Sequence, residues 1–429
     1  GPGGRGGPGG CAGPGGRADP ADMEIFDLYQ NYLKEKNALD LDDLILETIR
    51  VLEIGPAGPG FLKKGLSHIL IDEYQDINPP QARFVKILTE RGAGLFAIGD
   101  PDQAVYSFRG SSLESFMNFE REFPGSSVIR LERNYRSTEN IVRASDSVIS
   151  NNRERVEKGS QAVKEGGEVF LVSCGDERSL TEYIIKEIEK MMGGFYSQTA
   201  GGRGVDLRFS DFAVLFRTNR QGEAILDAFK KSAIPCRLSG PAGVSFMDLL
   251  KRLKEGTPDG GISLVDFIKE EARVLNAAPE VMQPFLSVAK RVDGEKADSP
   301  LDVFITEMAL LEPADNLDIK ADMVNLMTLH TAKGLEFRCV FIAGVEDGLI
   351  PLCREGTDME EERRLFYVGM TRAVKSLYLL SASKRRAWGE VVESAPSPFI
   401  GEIPQALLKK VNIKKKAYKR RPVQNGFFD

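Results

Sequence analysis

The spacing of apolar positions sorts this chain into elements. From Met23 onward, Ile25, Leu28, Tyr29, Tyr32 and Leu33 share one helical face, and Leu41, Leu44, Ile45, Ile49 and Leu52 repeat that spacing in a second helix. Short apolar runs bounded by polar residues then alternate with helical patterns. Residues 68–72, 95–99 and 127–131 read as strands, with helices over 80–91 and 139–150. Strands at 170–173 and 212–216 and helices at 179–191 and 222–231 continue the alternation. Such a pattern predicts α/β architecture: parallel sheets with helices on both faces. Between 241 and 321 the pattern becomes helical without strands, an inserted helical subdomain. Strands resume at 325–328 and 338–343. A helix then starts near Thr357, whose spacing to Glu360 fits a capping box, and 376–380 closes as a strand. Residues 1–20 are almost all Gly and Pro, too poor in apolar surface to fold, and the stretch after Pro404 reads as a basic disordered tail.

Composition narrows the function. A chain of 429 residues has room for two or three domains. No apolar run approaches the ~18–20 residues of a membrane span, and no apolar segment near the N-terminus reads as a secretory signal. The five cysteines are scattered without a Cys-x-x-Cys pair, which suits reduced thiols in the cytoplasm rather than disulfides or a zinc site. Only His68 and His330 are present, so a His-rich metal site is excluded. The net charge of −6 gives no overall basic face, but Lys409-Lys410, Lys414-Lys415-Lys416 and Lys419-Arg420-Arg421 cluster near the end. A Gly-x-Gly-x-x-Gly match at Gly1, Gly3 and Gly6 has no strand before it and no helix after it, so it carries no nucleotide role.

The chemistry gathers where strands end. Leu70-Ile71-Asp72-Glu73-Tyr74-Gln75-Asp76 is an apolar run closing in acids, the place where open α/β sheets put ligand chemistry. One acid can hold Mg²⁺ while its neighbour orients or deprotonates a water, the arrangement nucleotide hydrolysis needs. Downstream, Gly99-Asp100-Pro101-Asp102-Gln103 is an acidic turn followed by Tyr106 and Phe108. Gln103 can sense a γ-phosphate. The two aromatics either stack on unpaired bases or pack as core beside the turn. Arg136 lies where it can reach a phosphate, and Tyr135 where it can stack on a purine. A fourth block runs from Met327 to Phe337 and a fifth from Glu361 to Ala373. In the fifth, Glu–Arg spacings suit plain helix-surface pairs, and Arg372 at the helix end suits an arginine finger.

In order and spacing these blocks closely resemble the motifs of the UvrD/Rep/PcrA family, the superfamily 1 DNA helicases that move 3′ to 5′ on single strands. The resemblance runs from about Leu39 to about Pro404. Thr331-Ala332-Lys333-Gly334-Leu335-Glu336-Phe337 and Tyr367-Val368-Gly369-Met370-Thr371-Arg372-Ala373 are its most telling stretches, and Asp72-Glu73-Tyr74-Gln75-Asp76 sets it apart from DEAD-box helicases. It implies two RecA-like parallel-sheet motor domains of the P-loop NTPase fold, the first incomplete, with a small helical insertion, and ATP bound between them. The expected layout is a Gly/Pro leader (1–20), a helical remnant (21–64), a partial first motor domain (65–137), a second motor domain (138–240 and 322–403), the insertion (241–321) and a basic tail (404–429). By resemblance Asp72 coordinates Mg²⁺ and Glu73 is the general base. Gln103, Arg136 and Arg372 contact the γ-phosphate of ATP, Tyr135 stacks on adenine, and Glu336, near Gly334, holds the ribose. Tyr106 and Phe108 stack on bases of single-stranded or duplex DNA, and His330 touches the backbone. The family has Trp where Phe108 stands, which weakens the expected stacking.

One departure is larger. The family's adenine-contacting Gln motif, its Walker A loop and a DNA-contacting motif normally precede the Leu39 region, and no Gly-x-x-x-x-Gly-Lys-Ser/Thr occurs in this sequence. Without that loop no backbone amides cradle the β-phosphate, and strands of the first sheet should be missing, leaving an exposed sheet edge. Two readings compete: a carboxyl-terminal piece of a helicase, or an ATPase-deficient single-strand-binding or scaffold protein derived from one. The first is favoured because the remaining catalytic residues are intact, and this polypeptide alone is expected not to hydrolyse ATP. The ending Gln424-Asn425-Gly426-Phe427-Phe428 loosely resembles the peptide that docks on sliding clamps.

Overall fold

The computed structural model describes residues 20–54, 66–90, 92–193, 207–239, 249, 252–253, 263–274, 279–294, 300–310, 322–353, 356–387 and 390–413. The expected leader, apart from Pro20, and the Gln424–Phe428 peptide lie outside these residues. The chain forms two compact units. The first comprises Gly1–Glu132, Ile149–Ser160 and Leu352–Tyr367, the second Arg133–Val148, Gln161–Pro351 and Val368–Asp429.

In the first unit, helices α1 (Pro20–Glu35) and α2 (Leu41–Glu53) precede strand β1 (His68–Ile71), helix α3 (Pro79–Glu90) and strand β2 (Gly94–Ala97). Asp40 and Asp43 close a capping box at the start of α2, satisfying amides that a helix start leaves without partners. β1 and β2 pair in parallel, Leu70 opposite Phe96. One face of this two-stranded sheet is covered: Ile69 packs with Ile49, Leu52, Ile87 and Leu88 of α2 and α3. On the other face Leu70 is 75% and Phe96 57% exposed. The expected strand at 127–131 does not form. No strand among the described residues pairs with it, and Ile129 and Leu131 stand in solvent, so its apolar pattern lacks the ladder that makes a strand. Two short helices, α4 (Leu113–Met117) and α5 (Phe119–Glu122), pack their aromatic rings against Tyr74 instead.

The second unit holds β3 (Arg133–Thr138), α6 (Glu139–Ile149) and β4 (Gln161–Lys164), β3 and β4 pairing in parallel. Its main element is a seven-stranded sheet built from β5 (Glu168–Cys174), β6 (Phe212–Phe216), β7 (Cys236–Leu238), β8 (Val324–Thr328), β9 (Phe337–Ala343), β10 (Ala373–Ala382) and a last strand, β13 (Leu408–Ile413). The order is β13-β5-β10-β9-β6-β8-β7, and every pairing is parallel. Helices α7 (Glu177–Met191) and α8 (Asn219–Ser232) bury Ile184, Ile188, Ile225 and Phe229 in the same core as these strands. All five residues of β6 are buried, as a strand covered on both faces must be. Phe170, Tyr378 and Phe341 stack in a row across β5, β10 and β9 with centroids 4.4 and 4.5 Å apart. This mixed α/β architecture is what the alternating pattern implies, and it agrees with the RecA-like fold that the resemblance implies.

Helices α9 (Leu264–Val274), α10 (Pro279–Gly294) and α11 (Pro300–Leu310) carry a separate core that includes Phe267, Phe285 and Phe304. Helix α12 (Met359–Thr371) departs from its expected cap. Asp358, not Thr357, accepts from the Glu360 amide at 2.8 Å, while the Thr357 hydroxyl donates to Leu352 O. Strands β11 (Lys384–Ala387) and β12 (Glu390–Glu393) form an antiparallel hairpin. Of the stretch expected to be a disordered tail, residues 405–413 are ordered and include β13, which adds an edge to the main sheet beside β5, while 414–429 lie outside the described residues. Leu408 turns into the sheet while Lys409 and Lys410 face out, and Lys409 pairs with Glu168. Lysines on an edge strand keep the edge soluble, which is why this strand looked like tail in sequence. A Phe341→Ala variant is expected to lose about 3–5 kcal/mol in denaturant unfolding, whereas Leu70→Ala changes stability by under ~0.5 kcal/mol.

Candidate active site

In the first unit the site begins where β1 stops. Asp72 and Glu73 follow Ile71 directly and are both exposed. Glu73 sits in the left-handed region at φ 51, ψ 42, a conformation that non-glycine residues hold only when their surroundings impose it. The Glu73 amide donates to Asp72 Oδ1 at 2.9 Å. The surroundings come from Gln75, which is fully buried. Its amide nitrogen donates to Glu73 Oε2 at 2.5 Å, and its carbonyl oxygen accepts from the Asp100 amide at 2.9 Å. One side chain therefore ties the carboxyl end of β1 to the turn after β2. Gly99 makes room for it: a Cβ there would stand 2.7 Å from Gln75 Oε1 and 2.7 Å from the Phe116 ring.

The turn after β2 is an ionic knot. Asp100 Oδ1 accepts from the Asp102 amide, and Asp100 Oδ2 accepts from the Gln103 side-chain nitrogen at 2.8 Å. Asp102 is 1% exposed, and its carboxylate meets Arg155 Nη2 and Lys158 Nζ, each at 3.1 Å. Lys158 also bonds Asp100. Burial pulls the Lys158 ammonium down to about 7, and the two carboxylates at its nitrogen oppose that, so the geometry holds the charged form. Beyond the turn, Tyr106 and Phe108 lie 5.9 Å apart, with the Arg109 guanidinium over both rings at 5.0 and 5.7 Å. Phe108 is 67% exposed while Tyr106 is half-buried, so the Phe108 ring stands at the surface and not in the core. Glu361 of α12 accepts from both the amide and the hydroxyl of Ser107.

The second unit carries a separate set. On β3, Asn134 Oδ1 accepts from the amides of Arg136 and Ser137, which fixes the backbone at Arg136, and the Arg136 side chain donates to Glu336 Oε2 at 2.8 Å. Tyr135 between them is 62% exposed. Gly334 takes φ +81, and nothing lies within 4 Å of where a Cβ would stand. Arg372 is 1% exposed, and its guanidinium donates to Val368 O, Leu335 O and Thr371 Oγ1 at 3.1, 3.1 and 3.0 Å. Arg136, Glu336 and Arg372 thus gather around the turn at 334–336. His330 is half-buried at the turn after β8.

Among the described residues no cluster of three or more His, Cys, Asp or Glu could enclose a metal ion. Asp72 alone still fits Mg²⁺, which takes one or two carboxylates and fills the rest of its shell with water and phosphate oxygen. Sequence reasoning missed Arg155 and Lys158, whose partners lie 53 and 58 residues away, and read Glu361 only as a helix-surface residue. Gln75 was legible as part of the acidic block but not as its buried link.

A parallel sheet with helices packed on it, as in the second unit, suits the RecA-like form of the P-loop NTPase fold. A family model described as the UvrD/REP helicase N-terminal domain matches residues 15–124, and one described as the UvrD-like helicase C-terminal domain matches 129–248 and 269–384. The chain belongs to the UvrD-like helicase family. It is 32% identical over 498 aligned positions to the ATP-dependent DNA helicase PcrA of Bacillus subtilis, covering 92% of this chain and 66% of that protein. The PcrA proteins of Staphylococcus epidermidis (32%, covering 89% of this chain) and Staphylococcus aureus (30%, covering 90%) are similar to it, each matched over 64% of its own length. The chain therefore spans just under two thirds of the length of these relatives. A solved C-terminal domain of a possible Lactobacillus DNA helicase aligns at TM-score 0.31 and 14% identity, covering 65% of this chain and 98% of that one, too slight a likeness to bear on the fold.

Proposed function

We propose that this chain is part of the motor of an ATP-dependent 3′-to-5′ DNA helicase or translocase of the UvrD family, which unwinds duplex DNA in the cytoplasm during repair or replication restart. The observation that carries this reading is the continuity of the first unit's site. The buried side chain of Gln75 ties the acids after β1 to the turn holding Gln103, and the chain runs from that turn directly into Tyr106 and Phe108. A change at the acids can then reach bases stacked on the rings. The relatives' name, ATP-dependent DNA helicase, supports ATP and DNA as the substrates.

In this reading Asp72 holds Mg²⁺, which supplies charge neutralisation at the phosphates. Glu73, held in its left-handed conformation, orients the attacking water and takes its proton. Gln103 senses the γ-phosphate, and Arg136 and Arg372 stabilise the charge that develops on it. For Arg372 that role requires release from Val368 O and Leu335 O. Tyr135 stacks on adenine, Glu336 holds the ribose beside Gly334, and His330 touches the DNA backbone. Docking of Gln424–Phe428 on a sliding clamp belongs to the same proposal.

Fluorescence anisotropy with labelled oligothymidylate tests the reading. Tyr106→Ala and Phe108→Ala are each expected to cost about 1–3 kcal/mol, roughly 5- to 150-fold in affinity. Full affinity in both variants would reject the DNA assignment. The 429-residue polypeptide by itself is expected to show no DNA-stimulated ATP hydrolysis; hydrolysis that disappears in Glu73→Gln would overturn that expectation. For the clamp, pull-down should recover the intact chain and not one ending at Arg421, and equal recovery rejects docking.

A further inference from the structure

The exposed Phe108 ring stands on a single short turn, Ser107–Arg109, which has too few backbone hydrogen bonds to hold it in one place. What holds it comes from far along the chain. Glu361 Oε1 accepts from the Ser107 amide at 3.0 Å, and its other oxygen accepts from the Ser107 hydroxyl, a two-point grip across 254 residues of sequence. Two bonds from one carboxylate fix the direction of the peptide as well as its position. The grip itself is anchored. One residue earlier, the Glu360 carboxylate accepts from the amides of Arg153 and Glu154 at 3.0 and 3.2 Å, and the Asn152 side chain donates to Glu360 O at 2.9 Å. Arg363 closes the ring by donating to Asn152 Oδ1 at 2.6 Å. The first turn of α12 is thereby bolted to the 152–154 segment. That segment runs on to Arg155 and Lys158, which grip Asp102 and Asp100. Both ends of the stretch from Asp100 to Arg109 are held by these later segments: the phosphate-sensing end by two cations, the aromatic end by Glu361.

We propose that Glu361 is a positioning residue for single-stranded nucleic acid: its carboxylate, fixed to the Ser107 amide and hydroxyl, presents the Phe108 ring and the Arg109 guanidinium as one rigid stacking surface. This rests on the reading of Tyr106 and Phe108 as base-stacking residues. Without the grip, Phe108 samples several orientations, and each base that stacks must first order the ring.

Anisotropy with oligothymidylate on the full chain, with melting temperatures recorded in parallel, tests this. Glu361→Ala is expected to weaken binding about tenfold, and Glu361→Gln to restore most of it, because the amide can still accept from Ser107 N and donate to Oγ. Combined with Phe108→Ala, the Glu361→Ala change is expected to cost almost nothing further, since a ring that is gone cannot be misplaced. Fully additive losses, or Glu361→Ala at wild-type affinity, overturn the positioning role. If Glu361→Ala fails to fold, Ser107→Ala, which keeps the backbone grip and loses the hydroxyl, must show a smaller loss that also vanishes in the Phe108→Ala background, and additivity there overturns the role too. Phe108→Ala at wild-type affinity rejects the stacking reading itself, and the proposal with it.

Discussion

The first unit's site depends on one fully buried amide. Gln75 stands between two strand ends, donating to the Glu73 carboxylate and accepting from the Asp100 amide. An amide side chain suits this place because it offers both a donor and an acceptor at one end. A buried polar group left half-satisfied costs about 1–3 kcal/mol, so the fold is strongly biased toward the one arrangement that satisfies both ends. That arrangement imposes the left-handed Glu73 and requires glycine at position 99, where any side chain would collide with Gln75. The Glu73 carboxylate and the turn after β2 are therefore set together.

Charge does the rest of the positioning. Asp102 is almost wholly buried, and it tolerates burial because Arg155 and Lys158 both reach it. Pairs of this kind add little net stability, since desolvation offsets attraction, yet removing one partner costs about 3–5 kcal/mol. Their value here is geometric: they hold the acidic turn in register with the 152–158 segment. The Arg136–Glu336 pair of the second unit contrasts with this knot, because both side chains are substantially exposed and solvent screens them. A pair that weak opens readily to a ligand.

How far the sequence could be read follows from the range of each interaction. Strands β6 and β9 were legible because burial on both faces makes a parallel strand a continuous apolar run. β13 was not, since an edge strand needs few apolar residues and its lysines look like a tail. The opposite error occurred at 127–131, where an apolar run had no partner strand to pair with among the described residues. In the site, the acids after β1 were legible because local spacing defines them, whereas the spacing of Tyr106 and Phe108 left stacking and core packing both open. Arg155, Lys158 and Glu361 were not, because their meaning lies in contacts 53, 58 and 254 residues distant.

The central claim is that Gln75 fixes the acids to the turn from which the chain runs into the aromatic pair. The most direct measurement is the oligothymidylate affinity of Gln75→Met, which keeps the volume and removes both hydrogen bonds, in protein shown by circular dichroism to be folded. The account predicts a loss of about tenfold, the equivalent of one hydrogen-bond link, although Gln75 is buried away from any bound strand. A folded Gln75→Met protein that binds as tightly as the unaltered chain would contradict it.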